Sequence, residues 1–273
     1  MTVSDYRAIC QKGALENYLF DKYVFRRISI WGTIAAIKLR ISPNLVTFLS
    51  LVCALGSLYP LSSNDPKLVV VGCALVFLYN FLDHVDGELA RYYFHTESRT
   101  SGLSGQFFDV LCHSYSANLM MLFTAWAVYN EHQMPWILLV GVGAMVGLSG
   151  FPNLVAAKVM MIKIVGDPSV IGSEGAAPLL YELEKKQRQV SEVNAPLFSI
   201  RKIRKICTEA LGFPGILMIV IAVNLFDAFN EPLRTGQWVL DARIAALLLV
   251  VCVHLPYAVV RTRKLMKLLS SVQ

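Results

Sequence analysis

Residues 78–91 read Leu78-Tyr79-Asn80-Phe81-Leu82-Asp83-His84-Val85-Asp86-Gly87-Glu88-Leu89-Ala90-Arg91, and they close an apolar run. The next apolar run opens with Gly105-Gln106-Phe107-Phe108-Asp109-Val110-Leu111-Cys112-His113. Runs of this length suit a bilayer, whose hydrocarbon core takes about 20 helical residues. A carboxylate within hydrocarbon costs roughly 2.5 kcal/mol or more, so acids embedded there mark a site. Asp83 and Asp86 are three apart and share a helix face, with Asn80 a turn before them and Ala90 a turn after. Gly105, Asp109 and His113 step by four along one face of the following helix. The short stretch 92–104 joins the two runs, so the two acidic faces meet at one end of a helical hairpin. Hard oxygen ligands gathered this way suit Mg²⁺ or Mn²⁺ better than zinc, and a phosphate-bearing substrate.

The rest of the chain agrees with a membrane setting. Of its 273 residues 55% are apolar and 16% charged, and the mean hydropathy is +0.53. That composition predicts an all-α polytopic membrane protein rather than a soluble domain. Six transmembrane helices are expected, at about 44–62, 68–90, 105–129, 136–160, 213–229 and 243–260. Residues 43–273 would form this six-span domain. Residues 1–42 would be an N-terminal amphipathic cytoplasmic or interfacial segment, in which Tyr18, Phe20, Tyr23, Phe25 and Trp31 alternate with basic residues. Such a helix lies on the headgroups or packs on the inner faces of the spans; both readings stay open. No cleavable signal peptide is expected.

Orientation follows from Lys and Arg. With the N-terminus inside, only Lys67, Arg234 and Arg243 of the 25 basic residues fall in outer segments, and the other 22 sit inside or at inner helix ends. Both termini are therefore expected in the cytoplasm, in a multi-pass protein of a prokaryotic inner membrane. The net charge of +6 then reflects topology and not a nucleic-acid partner. The six cysteines form no CxxC pair and read as apolar fillers, with neither a disulfide framework nor a zinc site.

Other features have two readings each. Gly87, Ala90 and Gly105 thin the helix surface for a flat base or a diphosphate, or simply allow close helix packing. Arg91 is a phosphate clamp or an ordinary positive-inside arginine. The inner loop 164–212 carries Glu182 to Arg188 and Arg201 to Lys205, which touch anionic groups or are a solvated helix. Lys158 and Lys163 divide likewise between an acceptor phosphate and topology. His84 points off the face of Asp83, His254 reads as a core histidine, and Asp227 lies near the outer face. Trp126, Trp136 and Trp238 fit an outer aromatic belt.

The pattern Asp83-x2-Asp86-Gly87-x2-Ala90-Arg91, followed by Gly105-x3-Asp109, resembles the signature of the CDP-alcohol phosphotransferases. Pro43-Asn44-x2-Thr47 resembles the start of the first span in many relatives. The resemblance implies transfer of a phospho-alcohol group from a CDP-linked alcohol to an acceptor alcohol, lipid or small and polar, with release of CMP. It implies Mg²⁺ or Mn²⁺ on Asp83, Asp86 and Asp109, a nucleotide site lined by Gly87, Ala90, Arg91 and Gly105, contact with membrane lipids, and a homodimer.

Two departures stand out. The family pattern closes with a further x3-Asp, where this chain has His113, and the spacer 92–104 is longer than usual. A histidine remains a competent general base, and His113 is expected to be the catalytic base or to contact the acceptor. His95, Glu97 and Arg99 in the spacer help cover the site or belong to a tolerated insertion. Two rivals remain: a catalytically degenerate relative acting as a subunit, and a cation- or proton-coupled transporter.

Overall fold

The structure, a computed structural model, describes residues 1–11, 21–97, 103–148, 213–230, 233–235 and 238–270. Lys158, Lys163, Arg99, the charge runs of the loop 164–212 and the end of the fourth expected span lie outside the described residues. The described chain is helical apart from one hairpin. In order it forms α1 (Val3–Cys10), a π-helical turn (Asp21–Phe25), α2 (Arg26–Lys38), α3 (Pro43–Leu61), α4 (Pro66–Glu97), α5 (Leu103–His132), α6 (Trp136–Leu148) and α7 (Phe213–Phe229). Strands β1 (Leu233–Thr235) and β2 (Trp238–Leu240) pair antiparallel, Leu233 opposite Leu240, before α8 (Ala242–Ser270).

Among the described residues, three helices are long and apolar enough to cross a membrane: Pro43–Leu61, Pro66–Thr96 and Ala242–Val260. Trp136–Leu148 and Gly215–Phe229 are shorter apolar helices. At 1.5 Å per residue, the 32 residues of α4 reach about 48 Å, well beyond a hydrocarbon core of about 30 Å. A helix of this length is longer than the apolar layer and extends beyond it. Large apolar side chains face outward along the bundle, among them Phe48, Val52, Tyr59, Leu139 and Val146, as lipid contact requires. Inside, Leu61, Val76 and Tyr79 pack with Met120 and Val128 of α5, Ala144 of α6, Leu217 of α7 and Leu247 of α8.

Local chemistry sets the entry to α3. The end of α2 is closed by Arg40 Nα–H to the Ile37 carbonyl (3.0 Å) and Ile41 N–H to the Ala36 carbonyl (2.9 Å). This is a Schellman arrangement, with Arg40 at φ 54° where glycine is usual. Ser42 then caps α3, its hydroxyl accepting from Leu45 N–H at 3.3 Å, and Pro43 takes the first turn, where a missing N–H costs nothing. Thr47 consequently faces α4 one turn in.

The α3–α4 hairpin closes tightly at its other end. A Cβ on Gly72 would stand 2.9 Å from the Leu61 backbone nitrogen, and backbone cannot step aside. Gly72→Ala is expected to splay this crossing and cost about 1–3 kcal/mol. Thermal unfolding in detergent checks it, with Gly56→Ala, which meets only Leu75 Cδ1 at 3.8 Å, as the tolerated comparison.

Candidate active site

The final turns of α4 present different chemistry on opposite sides, because successive residues rotate by about 100°. Asp83 and Asp86 lie on one side. Asp86 is 7% exposed, and the Thr47 hydroxyl donates to its Oδ2 at 2.6 Å. The Pro43-Asn44-x2-Thr47 segment thus delivers a hydroxyl from α3 to the second aspartate. Asp83 Oδ1 lies 2.6 Å from Nε2 of His113 on α5, and His113 Nδ1 lies 2.9 Å from the hydroxyl of Tyr79, one turn before Asp83. Tyr79 itself is wholly buried. The histidine is thereby held between two groups of α4, so α5 reaches α4 here through this side chain.

Asn80, three residues before Asp83, is buried with neither atom of its amide hydrogen-bonded. Leaving such a group unpaired costs roughly 1–3 kcal/mol. Gly105 and Asp109 stand on α5 two turns and one turn before His113; the contacts of Asp109 lie outside the described residues. Gly87 and Ala90 are half-buried. The Arg91 guanidinium folds back over Gly87, 3.5 Å from where a Cβ would sit, and its Nε donates to the Cys10 carbonyl at the end of α1.

The opposite side of α4 grips the N-terminal helices, in line with the second of the two readings of that segment, packing on the spans. Glu88 is fully buried, and its carboxylate accepts from Gln11 Nε2 (3.0 Å), Arg26 (3.0 Å), Ser29 (2.7 Å) and Thr33 (2.7 Å). Phe81 and Val85 press on Gly32 of α2 so closely that a Cβ there would meet Phe81 at 2.7 Å. His84 joins Asp21 through Nε2 (3.0 Å) and the Asn80 carbonyl through Nδ1 (2.7 Å), and stacks on Phe25. It takes no part in the acidic face. Cys10 is buried beside Glu88; desolvation, helped by that carboxylate, pushes its thiol up to about 11.

At the far end of the bundle Glu131, His132 and Asp241 bring ligand atoms within 4.8 Å of one another. A guanidinium already serves them: Arg243 binds Asp241 (2.6 Å), Glu131 (2.5 Å) and Asp227 (3.3 Å), and His132 Nε2 lies 3.1 Å from Asp241. Burial alone would raise the Asp241 carboxyl, but the bonds from Arg243 and His132 outweigh it and hold the group below the usual carboxylate range. The cluster reads as an ion-paired clasp joining α5, α7 and α8.

Residues 40–200 match the CDP-alcohol phosphatidyltransferase family, and the chain belongs to it. No curated protein matches the chain. Membership and the long apolar helices make it an integral membrane protein of a family that transfers phospho-alcohol groups from CDP-alcohols.

Proposed function

We propose that the protein is an active, divalent-metal-dependent CDP-alcohol phosphotransferase whose site is the face shared by α4 and α5. The observation that supports this is the contact of His113 with Asp83, which ties α5 to the helix carrying the aspartate pair; in this reading Asp109, one turn before His113, joins that pair. The residues fit a hard cation. Asp83 and Asp86 offer carboxylate oxygens from one helix face, and the unpaired Asn80 amide lies a turn away. Mg²⁺ or Mn²⁺ on Asp83, Asp86 and Asp109 would neutralise the donor diphosphate and stabilise the departing phosphate.

The acceptor oxygen attacks the phosphorus distal to cytidine. The bond to the bridging oxygen breaks, and CMP leaves with the electron pair. Gly87, Ala90 and Gly105 let the nucleotide approach the helices, and Arg91 turns from the Cys10 carbonyl to the phosphates. His113 stands where the family's last aspartate would take the acceptor's proton. To do so its ring must first leave Asp83 or Tyr79.

The test is CMP formation by purified protein in nanodiscs, screened over CDP-alcohol donors and over lipid and small polar acceptors. CMP from any pair supports the reading. Donor binding without CMP from any pair points to a degenerate subunit, and cation-driven flux without donor binding to a transporter.

The six-span arrangement, with both termini cytoplasmic and the acidic face at the inner leaflet, is part of the same proposal and rests on the basic-residue asymmetry. In a cysteine-free background, Asn64→Cys and Gly236→Cys are expected to react with impermeant reagents from outside. Reaction of Glu97→Cys from outside would overturn the orientation.

A further inference from the structure

We infer that Tyr79 and His113 form a positioning pair that aims Asp83. The inference rests on the proposed use of Asp83 as a metal ligand. An ionised carboxylate only accepts hydrogen bonds, so the 2.6 Å contact puts the proton of a neutral His113 on Nε2. Nδ1 is then an acceptor, and the Tyr79 hydroxyl 2.9 Å away donates to it. Tyr79 and Asp83 are four apart on α4, so a single helix face holds the ring at both edges. The Tyr79 ring is packed in the core against α5, which makes its hydroxyl a fixed reference point.

The consequence is geometric. With Oδ1 tied to His113, the rotation of the Asp83 carboxylate is set, and Oδ2 is presented in a constant direction. Orienting partners of this kind govern the affinity of a ligating group, and their loss typically costs 10–100-fold in metal affinity or activity. A histidine supplies this bond as a neutral donor, where an aspartate at the same place would add a negative charge and could not donate. The substitution at position 113 is then matched by the tyrosine at position 79 and not a sign of decay.

The test is Mn²⁺ binding without substrate, read by the loss of the free-ion EPR signal, on wild type, Tyr79→Phe, His113→Ala and His113→Gln. Size-exclusion profiles control for folding. About tenfold weaker Mn²⁺ binding is expected for Tyr79→Phe and His113→Ala. His113→Gln keeps an N–H near the place of Nε2 and is expected to recover much of the affinity, although an amide cannot act as a base. CMP release by Tyr79→Phe is expected to return towards wild type at saturating Mn²⁺. Unchanged Mn²⁺ binding in Tyr79→Phe and His113→Ala would overturn the inference. So would Mn²⁺ binding in His113→Gln as weak as in His113→Ala, because the donated N–H would then not be what orients Asp83. Failure of the wild type to bind Mn²⁺ at all would instead remove the metal reading on which the inference stands.

Discussion

Asp83→Ala and Asp86→Ala are each expected to abolish CMP release, a fall of roughly 10²–10³-fold or more, while the protein still elutes as a folded species. Groups that offset charge developing on a transferring phosphoryl account for losses of that size. The two aspartates are held differently, and the conservative variants should separate them. Asp86→Asn keeps an oxygen for the Thr47 hydroxyl, which donates at 2.6 Å, and so preserves the α3–α4 contact while removing the charge. It is expected to be as inactive as Asp86→Ala but more stable. Thr47→Val should lower activity much less, because it removes a partner of the carboxylate and not the carboxylate. CMP release and thermal unfolding, measured on the same preparations, check both halves.

Glu88→Ala has the largest expected effect on stability. The carboxylate is fully buried and takes bonds from Gln11, Arg26, Ser29 and Thr33. Its removal takes away the carboxylate shared by the Arg26 guanidinium, whose side chain is only 12% exposed, and by three neutral donors. Removing one partner of a buried ion pair costs about 3–5 kcal/mol. Glu88→Gln retains an acceptor and is expected to cost less. Because α1 and α2 grip α4 through this residue, Glu88→Ala should also open the N-terminal segment to protease well below the unfolding temperature. Protection equal to wild type would show that apolar packing of α2 on Phe81 and Val85 suffices.

How much of this was legible in the sequence depends on the range over which each signal acts. Hydropathy located α3, α4 and α8 because burial in lipid is written locally. It ended the second span near residue 90, whereas α4 runs to Glu97. Hydropathy reports the apolar layer, and a helix continues into polar surroundings wherever propensity and packing allow. The acidic pattern pointed to one face of α4, and family membership, carried by the same residues, follows from residues 40–200.

Glu88 was missed for the opposite reason. Its partners lie between residues 11 and 33, more than fifty positions away, and a glutamate between two motif residues carries no mark of them. Nothing distinguished Tyr79 from other apolar lining until α5 brought His113 against it. Thr47 was noticed as part of a motif, but only the α3–α4 packing shows that its hydroxyl serves Asp86. Arg91 reads in sequence as a phosphate clamp or an ordinary positive-inside arginine. Its contact with the Cys10 carbonyl depends on α1, which no local pattern places there.

The central claim is metal-dependent transfer at the α4–α5 face, and the most direct measurement is CMP release by the wild-type protein across a metal titration. The protein is stripped with excess EDTA, assayed with its best donor and acceptor, and then given Mg²⁺ or Mn²⁺ in steps. The account predicts no CMP above background in EDTA and recovery with either cation, absent in Asp83→Ala. Undiminished CMP release in excess EDTA would contradict it.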